Sequence, residues 1–470
     1  MSLWYNQLSM RLFTSFLLLF ISNFIIAQQT ENYKTAELID SLLKESNRRG
    51  IFNGSALVAK QGQVVYRGAI GYADASKNKP LNLNLRFNIG SISKEFDGMG
   101  IMILKEEGKL SLEDSLSSFF PDLPDWASRI TIRNLLQYTS GLSAPGYNKE
   151  LTDAQVWQYL HKLEKLMFEP GTDYNYNNAD VFLRKRIIEK ASGLSYAGFV
   201  AEKMLKPCGM TNAVLDPDAA TPDFTRSFDE SYVEDEPDIY MSGWVALTTE
   251  DMYRWVECLK SGNLISKENL AGLSESFRPS SQSPMGQTAY EGEKMIFRYH
   301  HGQSQNFEAG VAWIPDPGHT IILLTNNRCN ELGDHINAID AILRGEEFGI
   351  PKRSIELSLR AKILHEGYEA GAAFLNSIRK DQADIYNFQQ EEKELINTGT
   401  WLFEKQRKDD GLKMLKFTAT RFPESIPAHL TLAGAYEDLG KVDQAFKHYR
   451  KVKDLDPQNK LAAAKLKELE

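Results

Sequence analysis

Hydrophobic and polar positions divide the chain into stretches with different periods. The first, Leu12–Ile26, is apolar apart from Thr14, Ser15, Ser22 and Asn23; Arg11 precedes it, and Ala27 and the polar Gln28-Gln29-Thr30-Glu31 follow. A charged start, a short apolar body and a small exit residue predict a secretory signal peptide over 1–27, cleaved near Ala27. The stretch falls short of the roughly 20 residues a membrane span needs; an uncleaved N-terminal anchor is the alternative. No cysteine lies near Ala27, so no lipid anchor is expected there, and no later segment resembles a span. The mature chain is expected to be exported, periplasmic or extracellular, with no stable membrane span after cleavage.

From 28 to 350, short runs of β-formers alternate with helical periodicity. Gly54–Lys60 and Gln63–Arg67 flank Gln61-Gly62 and predict a β-hairpin. Phe307–Pro315 and Thr320–Thr325 flank Asp316-Pro317-Gly318 and predict a second strand pair. Between them, Ser91–Glu107 ends at Gly108 and Asp180–Ala191 ends before Gly193, both helical in pattern. Strands at both ends with helices between predict an α/β or α+β layered fold, with one sheet completed by both ends of the domain.

A boundary is expected near Gly349-Ile350-Pro351, with no strand after it. Residues 351–390 read as a helical connector, with a helical pair over Ile355–Arg379. In 391–470, Pro423 and Pro457 stand 34 residues apart, and Leu432, Ala433, Tyr436, Gly440, Ala445 and Tyr449 fall on the tetratricopeptide pattern. The preceding unit follows it more loosely through Gly399, Leu402, Gly411, Leu415 and Pro423. Small residues at Gly399, Gly411, Ala433 and Ala445 allow two helices to pack closely, and the prolines stop the second helix. Such a tail is either a helical cap on the main domain or a groove for a protein partner.

Composition narrows the classes. The 470 residues suit two to three domains. A hydrophobic fraction of 42% excludes a disordered chain, and a net charge of −9 without a lysine or arginine run gives no footprint for nucleic acid. The three cysteines, Cys208, Cys258 and Cys329, are too few and scattered for a disulfide framework or zinc knuckle, and Cys208 and Cys258 read as small buried hydrophobes.

The chemistry concentrates in Phe87-Asn88-Ile89-Gly90-Ser91-Ile92-Ser93-Lys94. A serine opening a helix and a lysine three residues later share one helix face. The hydroxyl needs a base, and a lysine serves only where burial or neighbouring charge lowers its pKa. The following Phe96, Met99, Ile101, Met102, Ile103 and Leu104 make the helix apolar almost all round, which predicts that Lys94 is buried. The spacing alone is weak, since it recurs at Ser41/Lys44, Ser76/Lys79 and Ser377/Lys380. Two further segments add to it. Tyr176-Asn177-Asn178 offers a phenol that can shuttle a proton and a carboxamide that can hold an amide, and Tyr299-His300-His301-Gly302-Gln303 offers a side chain and an unobstructed backbone on an edge strand.

With these three motifs in this order, residues 32–327 resemble the penicillin-recognising serine hydrolases: class C β-lactamases, D-alanyl-D-alanine carboxypeptidases and their esterase and aminopeptidase relatives. The flanking Leu135–Leu142, Lys206–Thr211 and Ser242-Gly243-Trp244 resemble the family too. The resemblance implies an antiparallel sheet flanked by helices, with a helical subdomain. It further implies that Ser91 is acylated, that Lys94 and Tyr176 relay its proton, and that Asn178 helps place Lys94 and the substrate. The N–H groups of Ser91 and Gln303 would meet the oxyanion, with Gly302 and His300 at the substrate. No metal and no cofactor are implied.

One departure bears on the substrate. His301 stands where lactamases and many carboxypeptidases carry a hydroxyl residue for the substrate carboxylate, unless strand alternation turns it away from the cleft. Hydrolysis of an ester or amide, of a small or peptidoglycan-derived substrate, therefore ranks ahead of β-lactamase or D,D-peptidase action. A non-catalytic sensor with a partner-binding tail is a reading of a different class. Tyr138 reads as structural and is assigned no role in the chemistry.

Overall fold

The structure, a computed structural model, describes residues 31–143, 151–236, 241–279, 281–329 and 332–469; the signal segment 1–27 lies outside them. Strands β1 (Gly54–Lys60) and β2 (Gln63–Ile70) form the first hairpin, antiparallel. Its two-residue turn has positive φ at both Gln61 and Gly62, the backbone that matches the twist of a tight hairpin. β3 (Phe87–Asn88), β4 (Val214–Leu215) and β5 (Val245–Leu247) make a small sheet in the order β3-β5-β4. β6 (Gln287–Glu291), β7 (Lys294–Ser304), β8 (Phe307–Ile314) and β9 (His319–Thr325) complete the main sheet, ordered β2-β1-β9-β8-β7-β6 with every pair antiparallel.

β1 and β9 lie side by side, so the two ends of the domain do close one sheet. The expected helices are also found, over Lys94–Glu106 and Asn178–Ser192. Sequence reading missed β6, the small sheet and the first half of β7: the His300 motif sits late in an 11-residue strand, not at its start.

Alternation along the strands builds a core on each face of the sheet. Leu57, Val311, Ile322 and Leu324 face the larger core, shared with the helix Lys94–Glu106, whose residues Lys94 to Leu104 are all buried. Val58, Ala312, Ile321 and Leu323 face the other core, closed by the helix 31–48 and the helix Leu332–Arg344. Beyond residue 354 every regular element among the described residues is helical. The helices Glu391–Glu404 and Lys408–Arg421 approach closely where Gly399 faces Gly411: a β-carbon on Gly411 would lie 2.8 Å from the Gly399 carbonyl oxygen. Arg353 pairs with Glu230, and His365 Nε2 lies 2.7 Å from Asp229, tying this helical region to the main domain.

The cysteine reading needs correction. Cys208 and Cys258 are joined in a disulfide with Cα atoms 5.5 Å apart, linking the turn after residue 205 to the helix Thr249–Ser261. Fifty residues separate them in sequence, and the fold supplies the proximity. Cys329 is buried, outside the disulfide, and its N–H donates to Glu308 at 3.0 Å. Among the described residues no helix is long and apolar enough to cross a membrane, and no cluster of His, Cys, Asp and Glu could hold a metal ion.

Candidate active site

Ser91 lies on a single 3-10 turn, Gly90–Ser93, that runs directly into the buried helix Lys94–Glu106. Asn88 Oδ1 accepts from the Gly90 N–H at 2.8 Å, and Ser93 Oγ accepts from Val245 N–H at 3.0 Å, so both sides of the turn are tied down. The end of β7 presses against it. A β-carbon on Gly302 would sit 2.0 Å from the Ile89 carbonyl oxygen, and one on Gly90, whose φ is +51°, would sit 2.4 Å from that of Gln303. Only glycine permits either approach, which brings the Gln303 backbone beside Ser91. Gly302→Ala is expected to push strand and turn apart, lowering both the melting temperature and hydrolysis, the latter by about 100-fold, as misplacement by an ångström does; thermal denaturation alongside an esterase assay checks it.

The serine hydroxyl is half-buried and central. Lys94 Nζ donates to Ser91 Oγ at 3.0 Å, and Tyr176 Oη reaches the same oxygen at 3.0 Å. Lys94 is 2% exposed. Burial lowers its pKa to about 7, with the Arg184 guanidinium lowering it further against the opposing pull of Asp97. Burial likewise raises the Tyr176 phenol to about 12. Near neutral pH the amine can therefore accept a proton while the phenol still holds one, the division of labour a proton relay needs.

Beneath this pair runs a buried network. Arg184, fully buried, pairs with Asp97 at 2.5 Å one turn past Lys94, and also donates to the Leu135 carbonyl and to Tyr138 Oη at 3.2 Å. The Tyr138 ring packs against Tyr176 at 4.7 Å, and its carbonyl accepts from Asn175 N–H at 2.9 Å. Tyr138 has φ +57°, an uncommon backbone for a bulky residue, here fixed by these contacts. Tyr138, read from sequence as structural, thus holds the loop carrying Tyr176.

The next residue, Lys185, is also buried. Its Nζ donates to the Ser242 carbonyl at 2.8 Å and lies 4.9 Å from the centre of the Trp244 ring, which Lys94 approaches at 5.0 Å. No carboxylate pairs with Lys185 among the described residues. Burial lowers its pKa to about 8, leaving it mostly protonated at pH 7. Because a neighbouring cation disfavours a second ammonium, Lys185→Met is expected to raise the Lys94 pKa and move the acid limb of the pH–rate profile to higher pH. A lower rate with an unmoved limb would show that Lys185 only holds the Ser242–Trp244 loop.

The remaining sequence candidates, His300 and Asn178, are not hydrogen-bonded to Ser91 or Lys94. His300 is 2% exposed, and its Nδ1 lies 2.6 Å from Glu95 Oε1. Glu95 also takes Arg298 and, at 2.7 Å, Trp255 Nε1. Burial outweighs Glu95 and holds the His300 imidazole below its ordinary pKa. His300 shares the inward side of β7 with Gly302, and there it meets the carboxylate of Glu95, the residue after Lys94. His301 points to the opposite face, where Nε2 lies 2.7 Å from Glu308 and the ring stacks with Tyr299. Asn178 is exposed at the first position of its helix and makes no hydrogen bond to Lys94; its neighbour Asn177 caps that helix, accepting from Asp180 N–H at 2.8 Å. Ser91, Lys94 and Tyr176 meet directly with the Gly302-Gln303 end of β7 beside them. His300 lies on the same side of that strand, close enough to Lys94 for the amine to add to the lowering of its pKa by burial, and Asn178 is hydrogen-bonded to neither Ser91 nor Lys94. The signal for the buried charges was present: Glu95 and Asp97 interrupt a helix otherwise apolar all round, and carboxylates in such a place are paired.

The beta-lactamase family model matches residues 35–343. The chain belongs to the beta-lactamase family. Penicillin-binding protein 4* of Bacillus subtilis (strain 168) is 27% identical over 369 residues, covering 69% of this chain and 79% of that protein. Among solved structures, the D-amino acid amidase from Ochrobactrum anthropi SV3 in complex with L-phenylalanine superposes with a TM-score of 0.57 at 19% identity, over 66% of this chain and 99% of that one. A class C beta-lactamase superposes with a TM-score of 0.57 at 20% identity, over 67% and 97%. In each case about a third of this chain lies outside the match, and the family model ends at residue 343, before the helical region begins.

Proposed function

We propose that this chain is an exported serine hydrolase that cleaves an ester or amide through an acyl-enzyme on Ser91. The observation that carries the reading is the hydroxyl held at 3.0 Å by both a buried amine of pKa about 7 and a phenol of pKa about 12. In this mechanism Lys94 takes the hydroxyl proton, directly or through Tyr176, as Ser91 Oγ bonds to the substrate carbonyl carbon. The N–H groups of Ser91 and Gln303 receive the oxyanion, donors that typically contribute about 3 kcal/mol each. Tyr176 protonates the leaving amine or alcohol as the carbonyl bond breaks, and water then releases the acid and restores Ser91.

Ester or amide hydrolysis ranks ahead of penicillin hydrolysis because both histidines of the β7 motif are engaged by carboxylates of the protein, His300 by Glu95 and His301 by Glu308 on the other face. Export is supported by the Cys208–Cys258 disulfide, a bond that persists in oxidising compartments. Residues 351–390 are read as a helical connector and 391–470 as tetratricopeptide-like repeats; the contacts of Arg353 with Glu230 and of His365 with Asp229 support docking of the connector on the main domain.

A panel of short-chain esters, amino-acid amides, stem peptides and a cephalosporin, each run with Ser91→Ala, tests the reading. Ser91-dependent turnover of an ester or amide is expected. A cephalosporin hydrolysed with the highest kcat/KM would reverse the ranking, and acylation without turnover would favour a sensor.

A further inference from the structure

Residues 227–235 form a small hairpin that reaches from the end of β7 to the helical region. Its arms pair at Phe228 and Glu234, and the Asp235 N–H donates to the Ser227 carbonyl at 3.0 Å. At its base, Asp235 clamps the two-residue turn between β7 and β8. Asn306 donates to that carboxylate twice, from its N–H at 3.0 Å and from Nδ2 at 2.8 Å. Beside it, Gln305 Nε2 donates to the Glu236 carbonyl at 2.8 Å. Gln305 has φ +52°, a backbone that side chains rarely adopt, so the turn depends on contacts that hold it there. The clamp falls two and three residues after Gln303, whose N–H is directed at the oxyanion.

The tip of the hairpin meets the connector. Asp229 Oδ2 lies 2.7 Å from His365 Nε2, and Glu230 pairs with Arg353. These partners bracket the helix Ile355–Glu366: Arg353 stands two residues before it and His365 lies in its last turn. The region beyond residue 390 fixes both ends of that helix. Glu394, from the helix Glu391–Glu404, accepts from the Ile355 N–H at 2.6 Å and the Glu356 N–H at 3.1 Å, donors that a helix start leaves open. Arg407, immediately before the helix Lys408–Arg421, donates to the Leu364 carbonyl at 2.9 Å. A contiguous set of polar contacts thus runs from the C-terminal helices, through the connector and the hairpin, to the end of β7.

We propose that this hairpin is a strut through which the helical region positions the oxyanion edge. Asp235 is a positioning residue for the Gln303 N–H, and releasing the connector from the hairpin tip slows hydrolysis without any contact to Ser91. The inference rests on the hydrolase reading above and adds its regulation. Misplacing a catalytic group by an ångström costs about 100-fold, and coupling carried through contiguous contacts ranges from about twofold to about thirtyfold.

The test uses the full chain, with 4-nitrophenyl butyrate as substrate and amide hydrogen exchange of the peptide holding residues 304–306. Asp235→Ala is expected to lower kcat by about 30-fold with KM nearly unchanged, because an oxyanion donor acts on the transition state rather than on the bound ester. His365 is partly exposed, so His365→Ala should fold normally; it is expected to lower kcat about fivefold and to speed exchange at 304–306. His365→Gln, which can still donate to Asp229, should restore both. Contacts along one strut do not act independently, so the double variant Asp235→Ala/His365→Ala should stay within about twofold of Asp235→Ala alone. Wild-type kcat or unchanged exchange in His365→Ala, a loss that His365→Gln does not restore, or effects that multiply in the double variant would overturn the proposal. Absence of Ser91-dependent hydrolysis would overturn the hydrolase reading instead, and exchange at 304–306 would then decide the strut by itself.

Discussion

Ser91→Ala is expected to lower kcat/KM for a chromogenic short-chain ester by about 10⁴-fold or more, with the fold intact. The reasoning is local. Ser91 Oγ is the atom on which both Lys94 and Tyr176 converge, and no other hydroxyl shares that position. Removing it leaves a small gap at a half-buried turn whose backbone is still fixed by Asn88 and Ser93, so stability should barely change. What remains is the contribution of the backbone donors and of binding. Because the three side chains act as a unit, Lys94→Ala should cost nearly as much as Ser91→Ala, and the double variant little more than either. Wild-type rates in Ser91→Ala would remove the serine from the mechanism.

The pH dependence carries the second large effect. Lys94 acts as a base only when neutral, so kcat/KM should rise with pH through a single acid limb near 7 and level off above it. An exposed lysine would place that limb near 10.5, more than three pH units higher, so at pH 8 the two cases differ by more than 100-fold in the fraction of active base. The Tyr176 phenol stays protonated up to about 12, so no alkaline fall is expected before the protein itself denatures. A limb near 10 would show that Lys94 is not the base, or that water reaches it.

Much of this site is legible in the sequence because its chemistry sits on short local patterns. Ser91 and Lys94 share a helix face by spacing alone, and the apolar run from Phe96 to Leu104 announces the burial that depresses the amine. Hairpin turns and helix ends carry their own signals at Gln61-Gly62 and Gly193. Long-range contacts leave no such trace. Cys208 meets Cys258 only because the turn after residue 205 packs on the helix Thr249–Ser261, and Arg184 meets Asp97 across 87 residues. Side-chain direction on β7 is likewise set by register: Gly302 must face the serine turn, so His300 shares that inward side and His301 is sent to the other face. A motif read as a string of letters cannot distinguish a histidine at the substrate from one bonded to Glu95 behind it. For Asn178, the helix start at that residue leaves it exposed while Asn177 takes the capping position.

The most direct measurement is the intact mass of the protein, quenched during turnover of an ester that leaves a slow acyl group, followed by peptide mapping. A transient mass increase equal to that acyl group, confined to the peptide holding Ser91, present in the wild type and missing from Ser91→Ala, is the expected result. Product accumulating while the protein mass never changes, or an adduct mapped to another residue, would contradict an acyl-enzyme on Ser91.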